Sequence, residues 1–572
     1  MKLSKFTVIL AVLLMAILAI GAVSAESIDD SVGEIVSADT DDVSADIVVD
    51  DNVGAVALGD GDDPEPDDPI IDPEEPEESE NTYQISDDTY STYFNDNGTP
   101  TEALSADGGY EIQIGLLENK NITILSGKNI NISCYWIEEY DEVEDEWIEY
   151  GGDLFNGTLT IGANVESVFI SGLTFHNTNQ NAININDGCK DINITENVMF
   201  LSSEESTSGV TGINLNGAVS NILILDNGIF MTCEGTYNYG INSMAYGAST
   251  NPSDITISEN RIEMETEGAA TMLEGMYLSE PNNLLVEDNI VVVNTVNDVY
   301  AYGIQIADDA QYAYLYIPGY SGNITSPRNI LIRENEFYIS SEFMTYAVSV
   351  LCYGTDGIDE ELSDDDMTMP TYNAFDTNIT ISDNEIVARS TRGVMGIAGQ
   401  TYNMTVNNNN LVVVGGSAEG IRSQDALRNG TYALEVQYFD MGSEDDYYII
   451  VKDNTVVSNV TVEHLSDDDY SDYVIFENNT VPSAYIINDD TYSAYFNEDG
   501  TSTGLLPAEG GYTLVIQSLE GKDIKITSGS NINITAEKVY DEDSDEIFYD
   551  GYISDGTIII VGGYDETSFI TI

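Results

Sequence analysis

Positive charge is scarce in this chain. Its 572 residues include 16 Lys+Arg and 2 His against 102 Asp+Glu, which gives a formal net charge of −86. A charge of this sign and size repels nucleic acid and anionic membrane surfaces, because both carry negative charge of their own. We therefore expect no nucleic acid and no anionic lipid surface among its partners.

Cysteine is also rare. The whole sequence has four, which are Cys134, Cys189, Cys233 and Cys352. Their spacings match no metal-binding motif. Disulfides are open to an exported protein, but the four residues fall at different places in the repeat described below. We expect unpaired thiols, most of them buried.

Long hydrophobic runs are absent except at the N-terminus. There, Lys2 and Lys5 precede an almost wholly apolar stretch from Phe6 to Ala22, and Val23-Ser24-Ala25 is a small-residue cleavage site. These features predict a signal peptide over residues 1–25, with an uncleaved membrane anchor as the alternative. No later segment has the length to span a bilayer, so we expect a secreted or surface-displayed protein without membrane insertion of the mature chain.

Residues 26–80 are acidic and repetitive, with five prolines between Pro64 and Pro76. Such a segment buries too little apolar area to offset its ordering entropy, so we expect a disordered, extended linker. Beyond residue 80, helical periodicity is absent. Ile, Val, Tyr and Thr are frequent there, which is typical of strands.

A short phrase, NITISDNEIVA at Asn378–Ala388, recurs along the chain in altered forms such as DITISENRIEM and NILIRENEFYI. Neighbouring copies lie 25 to 49 residues apart, and periods in this range are typical of solenoids. Every copy keeps an asparagine at one position. These asparagines are Asn197, Asn227, Asn260, Asn289, Asn335, Asn384, Asn409, Asn454 and Asn479.

Each repeat also has an earlier phrase, a small residue followed by apolar-x-apolar, as in GIQI at Gly303 and AVSV at Ala347. With the segments ILI and EFYI, this makes about three short strands per repeat, each with one buried face. We interpret the repeated asparagine as the residue that takes positive φ at a sharp turn between two strands. Its side-chain amide is expected to bond to the asparagine of the next coil, forming a stacked row.

This pattern resembles the right-handed parallel β-helix of the pectin-lyase-like superfamily, from about residue 100 to residue 483. The resemblance implies an all-β fold, a β-solenoid of about nine or more coils. We assign residues 81–166 to an N-terminal cap with the first coils and residues 167–483 to the parallel β-helix.

A longer repeat joins the two ends of the chain. DDTYSTYFNDNGTPTEALSADGGYEIQI begins at Asp87, and DDTYSAYFNEDGTSTGLLPAEGGYTLVI begins at Asp489. We predict that residues 484–572 duplicate the cap and first coils of a second β-helix. Because an unpaired apolar strand is a poor terminus, we expect the chain to be a fragment of a longer tandem protein or a truncated product.

Enzymes of this superfamily commonly carry their active residues on the outward positions of one sheet. Here the middle residues of the apolar-x-apolar strands contain no carboxylate, whereas glycoside hydrolysis generally needs a carboxylate pair. They are Asn184, Asn214, Asn242, Tyr277, Gln305, Ser349, Met395 and Arg422. The Asp-Asp pair and Gly-His-Gly of polygalacturonases are absent. Arg389, Arg392, Arg422 and Arg428 form a cluster that a lyase could use, but we expect them to be solvated counter-ions and the chain not to be an enzyme.

Three insertions follow the apolar-x-apolar strands, at Asp308–Asn323, Cys352–Asn378 and Gln424–Asp446. Equivalent positions stack in a solenoid, so we expect these loops on one side, as a binding surface or as length drift on a tolerant surface. The candidate ligand-binding residues are Tyr312, Tyr314, Tyr316, Tyr320, Tyr353 and Tyr372. The candidate Ca²⁺ ligands are Asp364, Asp365 and Asp366, and no other cofactor is expected.

Signal peptide, acidic linker and β-solenoid together resemble the adhesin-like surface proteins of methanogenic archaea. The resemblance implies an adhesin whose partners are glycans or surface proteins of other cells. The alternatives are a lyase-like, polysaccharide-active β-helix enzyme and a structural spacer at the cell surface.

Overall fold

The structure is a computed structural model. It describes residues 81–572 except 136, 142–145, 206, 245–250, 267–269, 297–298, 309–323, 353–371, 374–376, 402, 416–430, 439–447, 459, 466–467, 480–483, 489–490, 508–511, 529–531, 537, 542–545, 550–551, 555, 561–568 and 572. The predicted signal peptide and linker therefore lie outside the described residues. Among the described residues, no helix is long and apolar enough to cross a bilayer.

The chain winds as a right-handed parallel β-helix, which confirms the predicted fold class. Each complete coil contributes one strand to each of three long sheets, here called sheets I, II and III in the order in which a coil visits them. Strands are numbered in chain order. All neighbouring strands within these three sheets are parallel, and each pairs with the equivalent strand of the next coil.

Sheet I has 13 strands. They are β1 (Thr82–Ile85), β2 (Gly108–Ile114), β5 (Lys128–Cys134), β10 (Glu166–Ser171), β13 (Lys190–Thr195), β16 (Ser220–Leu225), β19 (Ser253–Ser258), β22 (Asn282–Glu287), β26 (Arg328–Arg333), β30 (Ile379–Ser382), β33 (Met404–Asn407), β36 (Ile449–Lys452) and β39 (Val474–Glu477).

Sheet II has 11 strands. They are β3 (Leu117–Glu118), β8 (Asp153–Phe155), β11 (Thr174–Thr178), β14 (Val198–Ser203), β17 (Gly228–Cys233), β20 (Arg261–Thr266), β23 (Ile290–Thr295), β27 (Glu336–Ser341), β31 (Glu385–Ser390), β34 (Asn410–Gly415) and β37 (Thr455–Ser458).

Sheet III also has 11 strands. They are β4 (Ile122–Ile124), β9 (Leu159–Ile161), β12 (Ile183–Ile185), β15 (Thr211–Asn216), β18 (Tyr237–Met244), β21 (Met272–Ser279), β24 (Tyr300–Ala307), β28 (Met344–Leu351), β32 (Gly393–Thr401), β35 (Tyr432–Tyr438) and β38 (Thr461–Leu465).

The core lies between the three sheets and consists of stacked aliphatic columns. In sheet I, for example, Ile192, Ile222 and Ile255 are register partners in consecutive strands, and each is at most 2% exposed. Alternation along the strands of sheet I sends every second side chain into this core. A one-residue slip would expose the whole set, so the alternation fixes the register.

The nine repeated asparagines lie at the turn between sheets I and II. In each of the first eight, the side-chain Nδ2 donates to Oδ1 of the asparagine in the next coil, at 2.8–3.0 Å. Most are fully buried, as Asn289 and Asn335 are at 0% exposed. The asparagine row therefore satisfies polar groups that would otherwise be left unpaired inside the turn.

The residue with positive φ is the one before each asparagine, so our assignment of that conformation to the asparagine itself is wrong. The turn residue is acidic in most coils, for example Asp288 at φ 54°. The asparagine cannot take that role because its own backbone N–H must point at the next asparagine, as Asn289 N does at Asn335 Oδ1 over 3.0 Å. The full set of turn residues is Glu196, Asp226, Glu259, Asp288, Glu334, Asp383, Asn408, Asp453 and Asn478.

The first coils carry a short helix and a hairpin. Helix α1 (Tyr90–Tyr93) follows β1, and the antiparallel pair β6 (Ile137–Asp141) and β7 (Glu146–Tyr150) lies between β5 and β8. Sheet I continues through β10 without interruption at residue 167. A 3-10 helix (Asp468–Tyr473) precedes β39, and β25 (Ile324–Thr325) pairs with β29 (Tyr372–Asn373) outside the three long sheets.

Residues from Ala484 to Ile572 form a compact unit of their own. Its strands are β40 (Ala484–Ile487), β41 (Thr513–Ile516), β42 (Ser518–Glu520), β43 (Ile524–Ile526), β44 (Asn533–Ala536), β45 (Lys538–Asp541), β46 (Glu546–Tyr549), β47 (Tyr552–Ser554), β48 (Ile558–Ile560) and β49 (Phe569–Thr571), with helix α2 (Tyr492–Tyr495).

The unit repeats the details of the first coils. The Tyr492 hydroxyl donates to the Asp523 carbonyl, as the Tyr90 hydroxyl does to that of Asn121. Lys522 lies over the Tyr492 ring at 5.2 Å, and Lys120 over the Tyr90 ring at 5.1 Å.

All four cysteines lie among the described residues, and none of them forms a disulfide. Cys189, Cys233 and Cys352 are buried, and Cys134 is half-buried.

Candidate functional site on the outer face of sheet III

Sheet III carries two rows of side chains that point away from the core, and both rows lie on one outer face. A glycine or alanine separates the rows within each strand; a Cβ on Gly275 would meet Val291 Cγ1 in the core at 2.4 Å, which shows that this position points inward. The residue after it, such as Met276, also lies in the core, so the residue before it and the residue two positions after it point outward. Register pairing then aligns the rows from coil to coil.

The first row is the one before the small residue, and the second row is the one two residues after it. The first row contains Tyr239, Glu274, Tyr302, Tyr346, Met395 and Tyr432. The second row contains Asn242, Tyr277, Gln305, Ser349, Ala398, Glu435 and His464.

This face is buried although it lies outside the solenoid core. Met395 is 0% exposed, Glu274 1% and Glu435 8%. Burying a carboxylate costs free energy unless it is paired, so carboxylates in such a position are retained where they have a role. The face therefore differs from an ordinary solvated surface of a solenoid.

Aromatic rings form the centre of this face. Tyr302 and Tyr346 stack with ring centroids 4.8 Å apart and planes at 6°. Tyr300 meets Phe343 edge-on at 4.9 Å, and the guanidinium of Arg392 lies over the Phe343 ring at 5.2 Å. These residues belong to an apolar cluster that is separate from the core, and such rings give a ligand large contact area at small entropic cost.

Three groups suited to proton transfer lie together on β35 and β38. Glu435 is the register partner of His464, so the two side chains leave the same face of adjacent strands. The Tyr432 ring stacks on the His464 ring at 3.9 Å and 7°. Burial, and then the charge of Glu435, raise the pKa of the Tyr432 hydroxyl, which therefore keeps its proton at neutral pH. A carboxylate, an imidazole and a phenol in this arrangement can accept and donate protons.

Glu274 lies at a second place on the same face. Its register partners in the first row are Tyr239 and Tyr302, and the Tyr239 and Tyr277 rings are 5.8 Å apart. Four strand steps separate Glu274 from Glu435, which at ~4.8 Å a step is roughly 19 Å. Glycosidase pairs are about 5 to 9.5 Å apart, so these two carboxylates do not form one.

Sequence reasoning missed both carboxylates. The third predicted insertion, Gln424–Asp446, contains strand β35, so Glu435 and not Arg422 occupies the outward row. Met395, which we expected in the second row, lies in the first row. The second-row position of that strand is occupied by Ala398. The signal for Glu435 was present, because ALEV at Ala433 is the same small-then-apolar-x-apolar phrase. Glu274 is not among the predicted positions, because these are the residues two positions after the small residue, whereas Glu274 directly precedes Gly275.

The predicted binding residues lie mainly outside the described residues. This holds for Tyr312, Tyr314, Tyr316, Tyr320 and Tyr353, and for the Ca²⁺ candidates Asp364, Asp365 and Asp366. Tyr372 begins the short strand β29. Of the predicted arginine cluster, Arg389 lies on sheet II and Arg392 precedes β32, while Arg422 and Arg428 fall outside the described residues.

One group of carboxylates among the described residues has the spacing of metal ligands. Oxygens of Glu287, Asp288 and Glu334 lie within 4.8 Å of one another at the turn between sheets I and II. Burial raises the pKa of Asp288, and the charges of Glu334, Glu287 and Glu259 add to that effect. Asp288 and Glu334 are exposed, as is common for acidic groups without an ion.

Comparison with known proteins yields one solved structure. No family model and no curated protein matches the chain. The structure is that of a mutant DFA-IIIase from Arthrobacter chlorophenolicus A6 in complex with DFA-III, at a TM-score of 0.33 and 12% identity, covering 70% of this chain and 94% of that one. It contradicts our expectation that the chain is not an enzyme, because the similar β-helix protein is one. A similarity at this level identifies no reaction and no substrate.

Proposed function

We propose that this chain is a carbohydrate-active β-helix enzyme that binds a glycan on the outer face of sheet III. The observation that carries the proposal is that Glu435 is the register partner of His464, whose ring stacks on the Tyr432 ring. The half-buried rings of Tyr300 and Tyr432, which pack against the buried cluster of Tyr302 and Tyr346, supply apolar surface for a sugar. The net charge of −86 disfavours an anionic polymer, so the proposed substrate is a neutral glycan.

The proposed reaction is glycosidic bond hydrolysis with one carboxylate. His464 in its protonated form, or the Tyr432 hydroxyl, donates a proton to the leaving oxygen as the bond from the anomeric carbon to that oxygen breaks. The Glu435 carboxylate stabilises the positive charge that develops on the sugar ring. Water then adds to the anomeric carbon, and its proton returns to the imidazole or the phenolate.

The proposal extends to the location of the protein. The N-terminal apolar stretch and its cleavage site support export, and the acidic segment after it supports display away from the cell. The proposed substrate is a glycan on the surface of other cells. This substrate fits both the enzymatic site and the resemblance to adhesin-like surface proteins.

The experiment uses the chain from residue 26 onward with a panel of neutral and acidic polysaccharides. New reducing ends and retained protein are measured together. We expect cleavage of a neutral polymer, and Glu435→Gln should lower the rate at least 100-fold without changing the thermal midpoint. Glu477→Gln, an exposed carboxylate on β39, is the matched control and should leave the rate unchanged.

Two outcomes would contradict the proposal. Equal rates for Glu435→Gln and the parent chain would remove Glu435 from the chemistry. Retention without any new ends, with retention lost in Tyr346→Ala, would reduce the role of this face to binding.

A further inference from the structure

A second surface, on sheet II, carries a ladder of stacked aromatic rings. Phe155 and His176 have ring centroids 4.5 Å apart at 8°, His176 and Phe200 5.4 Å at 16°, and Phe200 and Phe230 5.5 Å at 20°. The four residues are register partners in β8, β11, β14 and β17. Their alternate neighbours, such as Met199 and Met231, are buried in the core, so the rings point outward.

The ladder is open to solvent, unlike the rings of sheet III. Phe155 is 38% exposed, the His176 side chain is 33% exposed, and Phe200 and Phe230 are half-buried. Exposed rings in one contiguous row mark an interaction surface more often than scattered single residues do.

Charge is absent from the middle of this surface. The outward side chains of β11, β14 and β17 include no carboxylate, ammonium or guanidinium group. They are Thr174, His176, Thr178, Val198, Phe200, Ser202, Phe230 and Thr232, with Gly228 completing the set. Charge returns at the next strand, where Arg261 pairs with Glu263 at 2.5 Å, and on β8, where Asp153 lies 3.3 Å from His176. In a chain with 102 acidic residues, a neutral strip of this length fits a partner that carries no charge.

The orientation of the rings defines the chemistry of that partner. Neighbouring rings cover each other's faces, so between its two ends the ladder presents ring edges, which are the positive part of the aromatic quadrupole. Ring edges attract electronegative oxygens. Hydroxyls run beside the rings, with Thr178 Oγ1 and Ser202 Oγ 3.0 Å apart. An uncharged polyol therefore finds both apolar contact and hydrogen-bonding groups here.

We propose that this surface binds a linear neutral polysaccharide whose chain runs along the solenoid axis, one sugar unit to each coil. The ring-to-ring spacing follows from the strand spacing of ~4.8 Å, so the contacts repeat along the axis as an extended polymer requires. The surface lies on a different sheet from Glu435 and serves to hold the polymer and not to cleave it.

Affinity electrophoresis of the chain from residue 26 onward tests this proposal. The probes are native gels containing a linear β-glucan, a linear β-mannan or polygalacturonate. We expect a neutral polymer to retard the protein and polygalacturonate not to. Phe200→Ala should weaken the apparent affinity at least fivefold, and so should Phe230→Ala. Val292→Ala, at the same outward register two coils beyond Phe230, is the control and should match the parent.

The outcomes separate this surface from the site on sheet III. Cleavage of a short neutral oligosaccharide should be the same in Phe200→Ala and the parent, while retardation differs. Unchanged retardation in both phenylalanine variants would overturn the proposal. So would sedimentation that showed a parent dimer converted to monomer by Phe200→Ala, because the ladder would then be a contact between two copies of the chain.

Discussion

Asn289 donates from its side-chain Nδ2 to Oδ1 of Asn335 at 2.9 Å, although 46 residues separate the two in sequence. The same Nδ2 also donates to the carbonyls of Ile257 and Glu287, and Oδ1 of Asn289 accepts from Asn260. One buried amide thus joins three successive coils. This explains why the asparagine keeps its place while the intervening segments vary in length.

Replacing Asn289 by Ala should destabilise the solenoid. The substitution removes these bonds and leaves buried donors on Asn260 and buried carbonyls without partners. An unsatisfied buried group costs about 1–3 kcal/mol, so we expect the free energy of unfolding to fall by roughly 2–4 kcal/mol. Chemical denaturation followed by circular dichroism measures it. Asn294→Ala removes an exposed asparagine of the next strand and should cost less than about 1 kcal/mol; equal losses would show that burial of the row is unimportant.

Gly275 is a second position at which a substitution should destabilise the solenoid. A Cβ there would approach Val291 Cγ1 to 2.4 Å and the Gly303 carbonyl oxygen to 2.6 Å. Overpacking of this kind costs about 1–3 kcal/mol, so Gly275→Ala should lower the denaturation midpoint accordingly. At Gly115 the nearest atom to an added Cβ is the Ile85 carbonyl oxygen at 3.6 Å, which is ordinary contact. Gly115→Ala is therefore the control, and a loss as large as that of Gly275→Ala would contradict the packing argument.

Thiol labelling should distinguish the cysteines by burial. Burial raises the pKa of Cys233 to about 12 and holds that of Cys352 well above its usual value, so both remain protonated and unreactive. Burial also raises the pKa of Cys189. With excess maleimide at pH 7.5, we expect the native chain to label at most at Cys134, and the denatured chain to label at all four. Peptide mass locates the labelled cysteines. Rapid labelling of Cys352 in the native chain would contradict the prediction that its thiol is buried and unreactive.

The fold was accessible from sequence because its determinants are local and repeated. Period-two alternation around residues such as Ile192 and Ile222 sets the strands, and the buried asparagine marks the turn after sheet I in each coil from β13 to β36. The conformation of the turn was placed one residue too late, because positive φ and side-chain stacking were both assigned to the asparagine. Asp288 shows that the two requirements fall on neighbouring residues.

The site was less accessible, for two physical reasons. Insertions of different length shift the alignment, which placed Arg422 where the sheet has Glu435. Burial of an outward side chain such as Glu274 depends on what covers a sheet face, and alternation within the strand carries no information about that. Register pairing is what brings Glu435 beside His464, and it becomes visible only when the coils are stacked.

The mostly acidic residues with positive φ that precede the repeated asparagines, here called the turn row, predict that stability depends on pH. Burial raises the pKa of Asp288, and neighbouring carboxylates on Glu334, Glu287 and Glu259 raise it further. A carboxyl whose pKa is raised by folding binds more protons in the folded state than in the unfolded state. Stability from this group is therefore complete below the unfolded pKa of 3.8 and decreases as the pH rises through the folded value.

Asp288→Asn should therefore stabilise the chain at pH 7 and have little effect at pH 3. Asparagine tolerates positive φ, and Asn408 and Asn478 already occupy the same turn position. The group is solvent-exposed, so the gain should stay below about 1 kcal/mol and shrink as salt screens the repulsion. Thermal midpoints at pH 3 and pH 7, with and without 1 M salt, measure this gain in stability.

Asp383→Asn is the control, because its neighbours in the turn row are one carboxylate, Glu334, and the uncharged Asn408. Repulsion between stacked carboxylates predicts a larger gain at Asp288 than at Asp383, and the reverse order would remove that repulsion as the cause.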